Sequence, residues 1–343
     1  MSAYVTDDVF YYRLKDDIIC IRIGLLKLLS LNISSILGVT CYSNPASVNY
    51  ARVFFISLFS VDLSGTLPLT IGNFHSLSHL RLKGCKIGGT IPSTIGALTK
   101  LYFLDFRNNS LVGSIPGAIG GLTSLYYLIL SDNFLSGAIP SSLGALTKLD
   151  TLDIEGNSLF GTIPSAVSAL KSLKYLGFMT NTLTGTIPSA VGAMTSLKFL
   201  GLARNSLVGT IPDAISALKS LIYLVLGNNT LTGTIPGAVV GLSKLEYIYL
   251  SSNSLIGTIP TTMSALTLLD YALFYNNYLT MGTATTVPTS TFSTFTLSKT
   301  ISLSDNCLAF DTAVPYRHVT ATHCRPTSKY ELSVVRCETI ASS

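Results

Sequence analysis

The chain has 343 residues, of which 48% are hydrophobic and 11% are charged, and its formal net charge is +5. A chain with this many apolar residues can bury enough apolar surface to fold, so the composition excludes a largely disordered chain. No segment concentrates the basic residues, so the charge does not indicate a nucleic-acid-binding surface.

The first 52 residues are predicted to form an N-terminal cap, and they contain an apolar stretch at 18–37. Membrane association through this stretch is one interpretation, although Arg22 and Lys27 interrupt it. An amphipathic cap helix is favoured instead, because apolar residues recur at helical spacing. They are Ile18, Ile21, Leu25, Leu28 and Leu29. Acidic residues precede the stretch where a signal peptide has basic ones.

Cysteines gather near the two ends of the chain. Those outside the regular centre are Cys20, Cys41, Cys307, Cys324 and Cys337. This distribution indicates disulfide-bonded ends and an oxidising compartment. Three Asn-x-Ser/Thr sequences, beginning at Asn32, Asn108 and Asn228, predict glycosylation in the same setting. We therefore expect an extracellular or cell-surface location.

The central part of the chain repeats with a strict period of 24 residues. The clearest marker is a proline at Pro68, Pro92, Pro116, Pro140, Pro164, Pro188, Pro212, Pro236 and Pro260. One full unit reads Leu101-x-x-Leu104-x-Phe106-x-x-Asn109-x-Leu111-x-Gly113-x-Ile115-Pro116. Such a period predicts a repeat protein in which each unit buries its apolar side against its neighbours.

Each unit is predicted to form one coil of an α/β solenoid. The alternation at Leu128 and Leu130 predicts a short strand with one buried face, and successive strands stack in parallel about 4.8 Å apart. The Asn that follows can bond backbone groups that an inward turn would leave unpaired. Gly and Pro then bend the backbone and begin a short helical segment.

The strand motif predicts about eleven coils, which start at Val53, Leu77, Leu101, Leu125, Leu149, Leu173, Leu197, Leu221, Leu245, Leu269 and Ser298. The repeat array therefore covers 53–297, and 298–343 form the last capping coil with a C-terminal cap or tail. A Ser/Thr-rich insertion at 280–300 precedes the last coil. A polar loop is favoured there over an O-glycosylated stalk.

The pattern LxxLxLxxNxLxGxIPxxIGxL, matched from Leu101 to Leu122, resembles the plant-type leucine-rich repeat. This family includes plant receptor-kinase ectodomains, polygalacturonase inhibitors and surface-antigen-like proteins of kinetoplastids. The resemblance implies a right-handed superhelix with a concave parallel β-sheet and short convex helical or 3-10 segments. Leu37-Gly-Val-Thr-Cys41 also resembles the end of the family's N-terminal cap.

The resemblance further implies a disulfide near the C terminus, where the family often closes its solenoid. Cys307 and Cys324 are the cysteines at this place. Together with His318 and His323 they also offer zinc-type ligands, but their spacing matches no standard zinc site. We predict the disulfide, no metal and no other cofactor.

Motifs for catalysis are not found in the sequence. It holds no phosphate-binding loop, no Gly-x-Ser-x-Gly turn, no His-Glu-x-x-His zinc motif and no paired Cys-x-x-Cys. Asp153 and Glu155 lie two apart on one strand and face the same way. Such a pair suits acid–base chemistry, but a solvated acidic patch is favoured. We therefore predict that the chain is not an enzyme.

The concave face of the strands carries the candidate ligand-binding residues. The third position of the coil is aromatic in eight of the first ten coils, and charged residues cluster in the early coils. The candidates are Arg81, Lys83, Phe103, Asp105, Arg107, Tyr127, Asp153, Glu155, Tyr175, Phe199, Tyr223, Tyr247 and Tyr249. The aromatic residues either stack coil on coil or form a recognition strip.

The leading functional hypothesis is a non-catalytic recognition module that binds a protein, peptide or glycan on its concave face, and no nucleic acid. In this hypothesis Arg81, Lys83 and Arg107 steer an acidic partner. Tyr223, Tyr247 and Tyr249 anchor it, because small neighbouring residues let a partner approach their ring faces. Two alternatives stay open. One is a structural surface-coat protein without a defined ligand, and the other is a secreted inhibitor of a hydrolase.

Overall fold

A computed structural model describes the backbone of residues 3–6, 9–14, 17–22, 39–42, 52–280, 300–302 and 306, and the side chains of residues 54–280 and 306. The chain divides into two compact units, Met1–Leu173 and Lys174–Ser343. The predicted cap and array boundaries at residues 52 and 297 stay predictions. Residues 307–343 lie outside the described residues, so the Cys307–Cys324 disulfide also stays a prediction.

The N-terminal strands form an antiparallel sheet of their own. Its strands are Ala3–Thr6, Val9–Leu14 and Asp17–Arg22. The predicted cap helix is therefore wrong over residues 18–22, which pair with Val9–Leu14. The segment is rich in isoleucine, and β-branched residues favour strands over helices. The remaining part of the apolar stretch, residues 23–37, lies outside the described residues.

In the first unit, one strand per coil builds the main sheet. Its parallel strands are Arg52–Phe59, His79–Lys83, Phe103–Asp105, Tyr127–Ile129 and Thr151–Asp153. Residues 24 apart pair, as Leu104 does with Leu128, so the sequence period becomes the strand register. Val39–Tyr42 adds an antiparallel strand beside Arg52–Phe59.

In the second unit, the main sheet continues the same pattern in its own coils. Its parallel strands are Tyr175–Gly177, Phe199–Gly201, Tyr223–Val225, Tyr247–Tyr249, Tyr271–Leu273 and Thr300–Ser302. Thr300–Ser302 pairs with Tyr271–Leu273 across the predicted insertion. Within the described residues, the two units thus hold the eleven coil strands that the sequence predicts.

A 3-10 helix of five residues follows the repeat proline in each complete coil that the structure describes. In the first unit these helices are Leu69–Asn73, Ser93–Ala97, Gly117–Gly121, Ser141–Ala145 and Ser165–Ala169. In the second they are Ser189–Ala193, Asp213–Ala217, Gly237–Gly241 and Thr261–Ala265. The proline precedes the helix in an extended conformation, as at Pro116 with φ −67°. Its missing N–H and restricted φ suit this position.

Short strands that follow the ladder asparagines form a second set of sheets, which the sequence analysis did not predict. In the first unit they are Gly88–Gly89, Ser110–Gly113, Phe134–Ala138 and Ser158–Gly161. In the second unit they are Thr182–Leu183, Ile256–Thr258 and Tyr278–Thr280. Alternate side chains between the ladder position and the repeat proline point outward, both in these strands and in the coils that lack one, and we call the surface that they form the edge face.

The core lies between the main sheet and the 3-10 helices of each coil. It is built from the repeat leucines, of which Leu104, Leu128 and Leu152 are fully buried. The predicted asparagine ladder is confirmed at Asn157, whose amide bonds backbone groups of its own coil and of the preceding coil. Asn109 and Asn133 make the same kind of bonds. Each ladder amide thus supplies partners to backbone groups that the buried turn would leave unpaired.

The ladder also explains two irregular positions. Cys85 stands at the ladder position of the second coil, where the later coils have asparagine and the first has Val61, and its buried thiol contacts the carbonyl oxygen of Leu58 at 3.5 Å. Asn306 takes the ladder position of the last coil, because it bonds the backbone of Phe274 and Leu279. The coil count therefore holds across the insertion.

Candidate functional site

The open face of the main sheet, opposite the buried leucines, carries the predicted aromatic column. In the first unit the column contains Phe55, His79, Phe103 and Tyr127. The ring centroids of Phe55 and His79 are 4.5 Å apart, and those of Phe103 and Tyr127 are 4.6 Å apart. These rings are half-buried. Neighbouring coils therefore share a continuous ring contact at strand spacing.

In the second unit the column is a more regular stack. Tyr175 and Phe199 lie 4.4 Å apart and are nearly parallel, with an interplanar angle of 7°. Tyr223 and Tyr247 also lie 4.4 Å apart at 5°, and Tyr247 and Tyr271 lie 5.2 Å apart at 10°. Phe199 and Tyr223 interrupt the stack, because their centroids are 5.8 Å apart and their planes are tilted by 45°. Within each stacked group a ring covers the face of the next, so a partner meets mainly ring edges and hydroxyl groups. Stacking between coils is thus part of what the column does.

Tyr249 lies two residues after Tyr247 on the same strand and widens the aromatic surface beside the stacked tyrosines. Its ring meets that of Tyr247 edge to face, with the centroids 6.3 Å apart. Burial raises the pKa of both phenols, and the neighbouring phenols of Tyr223 and Tyr271 add to the effect. Both hydroxyl groups therefore stay protonated at neutral pH and can donate as well as accept hydrogen bonds.

The structure differs from the sequence interpretation at Asp105. Its carboxylate is 0% exposed, so it does not present a charge to a ligand. Instead, the Arg107 guanidinium binds it through Nε at 2.9 Å and through Nη2 at 2.8 Å, and the Arg107 backbone N–H also donates to it. Arg107 was expected to steer an acidic partner, but its charge is compensated by this buried pair.

Asp153 occupies the corresponding place two coils further on, with different partners. It accepts hydrogen bonds from the Ser131 hydroxyl at 2.8 Å and from the Glu155 backbone N–H at 3.2 Å. Burial raises its pKa despite these bonds and despite the nearby charge of Arg107. Asp153 and Glu155 both lie half-buried on the open face, as the strand alternation predicts.

Replacing Asp153 by asparagine tests this electrostatic environment. A carboxyl group whose folded-state pKa is raised stabilises the fold at acid pH, and the stability is lost as the pH rises through that raised value. We therefore expect Asp153→Asn to raise the melting temperature by about 2–4 °C at pH 7. The difference in melting temperature should disappear below the ordinary aspartate pKa of 3.8, where the Asp153 carboxyl group of the wild type is also neutral. Melting scans at pH 3 and pH 7 measure it.

The exposed Asp213, at the start of the 3-10 helix Asp213–Ala217, provides the matched control. Asp213→Asn should change the melting temperature little at either pH value, because this side chain is exposed and is not among the charges that act on Asp153. An equal gain at both pH values for Asp153→Asn would contradict the burial argument.

The structure describes two of the three predicted glycosylation sites. Asn108 and Asn228 are exposed on the turns that follow the strands, with φ near 54° and 55°. Their modification stays a prediction. Asn32 lies outside the described residues.

Among residues 54–280 and 306, His, Cys, Asp and Glu side chains form no group that could hold a metal ion. The same part of the chain contains no helix with the length and hydrophobicity needed to span a bilayer.

Family models described as leucine rich repeat match this chain at 76–98, 100–122, 124–146, 148–170 and 195–255. Among solved structures, the plant peptide hormone receptor RGFR1 in complex with RGF2 is 34% identical with a TM-score of 0.72, over 75% of this chain. The Arabidopsis receptor kinase HAESA, in complex with the peptide hormone IDA and the co-receptor SERK1, is 38% identical with a TM-score of 0.65, over 71% of this chain. The chain is a plant-type leucine-rich repeat protein.

The extent of these matches differs between relatives. This leucine-rich repeat protein spans 40% of the length of each of the two receptor chains. A plant ice-binding protein is 25% identical with a TM-score of 0.64, over 80% of this chain and 88% of that one. No protein of established function matches the chain in the search of curated sequences.

Proposed function

We propose that this leucine-rich repeat protein is a non-catalytic extracellular or cell-surface module whose open face binds a peptide or protein. Support comes from the receptor ectodomains, whose structures contain peptide hormones. The observation that carries the proposal is the column of tyrosines Tyr223, Tyr247 and Tyr271, which offers ring edges and hydroxyl groups along successive coils. Tyrosines of this kind are frequent anchors in protein interfaces.

The experiment must separate binding from stacking, because the column does both. The full chain is used to capture partners, and the affinity and melting temperature are then measured for Tyr247→Phe and Tyr247→Ala. We expect Tyr247→Phe to keep the stack and the melting temperature but to weaken binding several-fold through the lost hydroxyl group. Tyr247→Ala should weaken binding by about 2 kcal/mol and also lower the melting temperature.

Tyr278→Ala is the matched control, because this tyrosine is exposed on the edge face and belongs to no stack of the column. It should change neither quantity by much. If both Tyr247 variants bind every captured partner as wild type does, the column is only structural, and the result favours the surface-coat alternative. Capture of a secreted hydrolase whose activity then falls would instead favour the inhibitor alternative.

A second candidate function is ice binding, and the edge face of the second unit favours it. The exposed side chains there are mostly threonine: Thr182, Thr184, Thr186, Ser206, Val208, Thr210, Thr230, Thr232, Thr234, Ile256, Thr258, Tyr278 and Thr280. None of these positions is charged. Backbone hydrogen bonds hold successive coils together, as between Thr232 N–H and the Gly209 carbonyl oxygen at 2.8 Å.

The geometry of a sheet makes this array regular. Threonines lie about 4.8 Å apart between strands and about 6.7 Å apart along a strand. A rigid lattice of hydroxyl and methyl groups can order water into a matching ice plane. The plant ice-binding relative, most of whose length this chain spans, adds support.

A charge placed in this array tests the second candidate. Thr232→Lys should abolish any inhibition of ice recrystallisation by the full chain, because a lysine disrupts the regular spacing and holds its own hydration shell. Thr195→Lys is the matched control, since Thr195 is exposed but lies outside the edge face. Wild-type protein without ice activity, or equal loss in both variants, would contradict ice binding.

A further inference from the structure

Arg81 has an unusual environment on the open face of the first unit. It lies in the strand His79–Lys83, and its guanidinium carbon is 4.9 Å from the ring centroid of Phe59 and 4.6 Å from that of Phe103. The two rings therefore hold the planar group between them. Aromatic faces attract a guanidinium in this arrangement and restrict its movement.

Among the side chains that the structure describes, none accepts a hydrogen bond from this guanidinium. Its Nε is buried without a hydrogen-bond partner there, and Arg81 forms no ion pair with a described residue. Asp105 pairs with Arg81 in the strand register, but the Asp105 carboxylate is bound by Arg107. Stacking occupies the faces of the guanidinium and leaves its in-plane N–H groups for an acceptor. Because the described fold gives the guanidinium no acceptor, its terminal N–H groups can bond an acceptor that a partner brings.

The charges around Arg81 favour an anion. Lys83 lies two residues along the same strand and faces the same way. Burial and the Arg81 charge lower the pKa of His79, so this imidazole stays neutral near pH 7. With Arg107 compensated by Asp105, the positive charge here belongs to Arg81 and Lys83. The two oxygens of a carboxylate can accept hydrogen bonds from the planar guanidinium of Arg81, and the nearby Lys83 ammonium group adds electrostatic attraction.

We propose that Arg81, supported by Lys83, is a subsite for the side-chain carboxylate of an Asp or Glu residue on the partner. The subsite rests on the proposed function and gives it a ligand class, namely a peptide or protein that is acidic where it meets the first unit. Arg81 contributes the directional contact, and Lys83 contributes charge.

The test uses the full chain and three peptides of equal length at low salt. Acetyl-Gly-Glu-Gly-Glu-Gly-amide presents only side-chain carboxylates, its glutamine counterpart presents none, and acetyl-pentaglycine presents only a terminal carboxylate. We expect calorimetric titration to show the glutamate peptide binding at least about ten-fold more tightly than the other two. Equal binding of the glutamate and glutamine peptides, or preference for the terminal carboxylate, would overturn the proposal.

Variants of Arg81 and Lys83 then test whether these two residues bind the glutamate peptide. Arg81→Gln should weaken glutamate-peptide binding about ten-fold, and Lys83→Gln about three-fold. Arg81→Lys keeps the charge but loses the planar fork, so it should also weaken binding several-fold and serves if Arg81→Gln fails to fold. Arg204→Gln, at an exposed arginine on a turn of the second unit, should have no effect. Equal effects of the Arg81 and Arg204 variants would refute the subsite.

The outcome is separable from that of the proposed function. If the Tyr247 variants leave partner capture unchanged, the column is not a binding site, but the peptide titrations still report on Arg81. If the Arg81 variants bind the glutamate peptide as wild type does, the subsite fails while binding through the column can stand.

Discussion

Replacing Phe106 by alanine is expected to lower the free energy of unfolding by about 4 kcal/mol. The ring is 1% exposed and fills the core of its coil, at a position where other coils have leucine, isoleucine or phenylalanine. Its removal takes apolar area out of the core and leaves a cavity that the rigid coils cannot close. The Phe106 carbonyl oxygen also accepts the amides of Asn109 and Asn133, so backbone movement into the cavity would strain both ladder residues.

Phe134 is the matched control for this substitution. It lies in the same unit but is 63% exposed on the edge face, so Phe134→Ala should cost less than about 1 kcal/mol. Urea unfolding followed by circular dichroism measures both variants. Similar losses for the two phenylalanines would mean that the core of the coil is not where the structure places it.

Replacing Asn157 by alanine is expected to cost about 3 kcal/mol. The amide nitrogen donates to the carbonyl oxygens of Leu130, Ile154 and Glu155, each at 3.1 Å, and the amide oxygen accepts the Leu135 N–H at 2.9 Å. Asn157 is only 9% exposed, so water cannot fully replace these bonds. Leaving buried backbone groups unpaired costs about 1–3 kcal/mol, and several groups lose a partner here.

The control substitution for Asn157 must use a residue that can adopt the backbone conformation of the control position. Asn108 is exposed and stands one place before a ladder asparagine, but its φ is 54°. Alanine there would add left-handed strain of about 1 kcal/mol, whereas glycine adopts this conformation without it. We therefore expect Asn108→Gly to change the unfolding free energy by well under 1 kcal/mol. A loss at Asn108 as large as that at Asn157 would contradict the ladder.

The charged candidates show where inference from the strand pattern stops. Asp105 and Asp153 occupy equivalent positions in their coils, and alternation places both on the open face. In the structure, Asp105 is buried by Arg107, whereas Asp153 is half-buried beside Ser131. The difference depends on which residue stands two places later or in the neighbouring coil. Side-chain partners of this kind follow from three-dimensional packing and not from the repeat.

The edge face shows a similar limit. Its threonines and exposed apolar residues stand at alternate positions after the ladder asparagines, so a search for period-two exposure between Asn and Pro could have found them. The Gly and Pro of that segment predicted a bend, and the strands Ser110–Gly113 and Tyr278–Thr280 were not predicted. Neither strand is stable alone, because each needs the neighbouring coil to pair its backbone.

The coil length, the position of each main-sheet strand and the ladder asparagines can be predicted from the repeat pattern alone. This is possible because every coil contacts only its neighbours, so one local pattern repeated in register specifies the backbone of each coil. The stacking of the tyrosines, the pairing of Arg107 with Asp105 and the place of Arg81 between Phe59 and Phe103, without an acceptor among the described residues, required the three-dimensional structure. These outcomes depend on side-chain rotamers and burial between coils, which vary while the period stays constant.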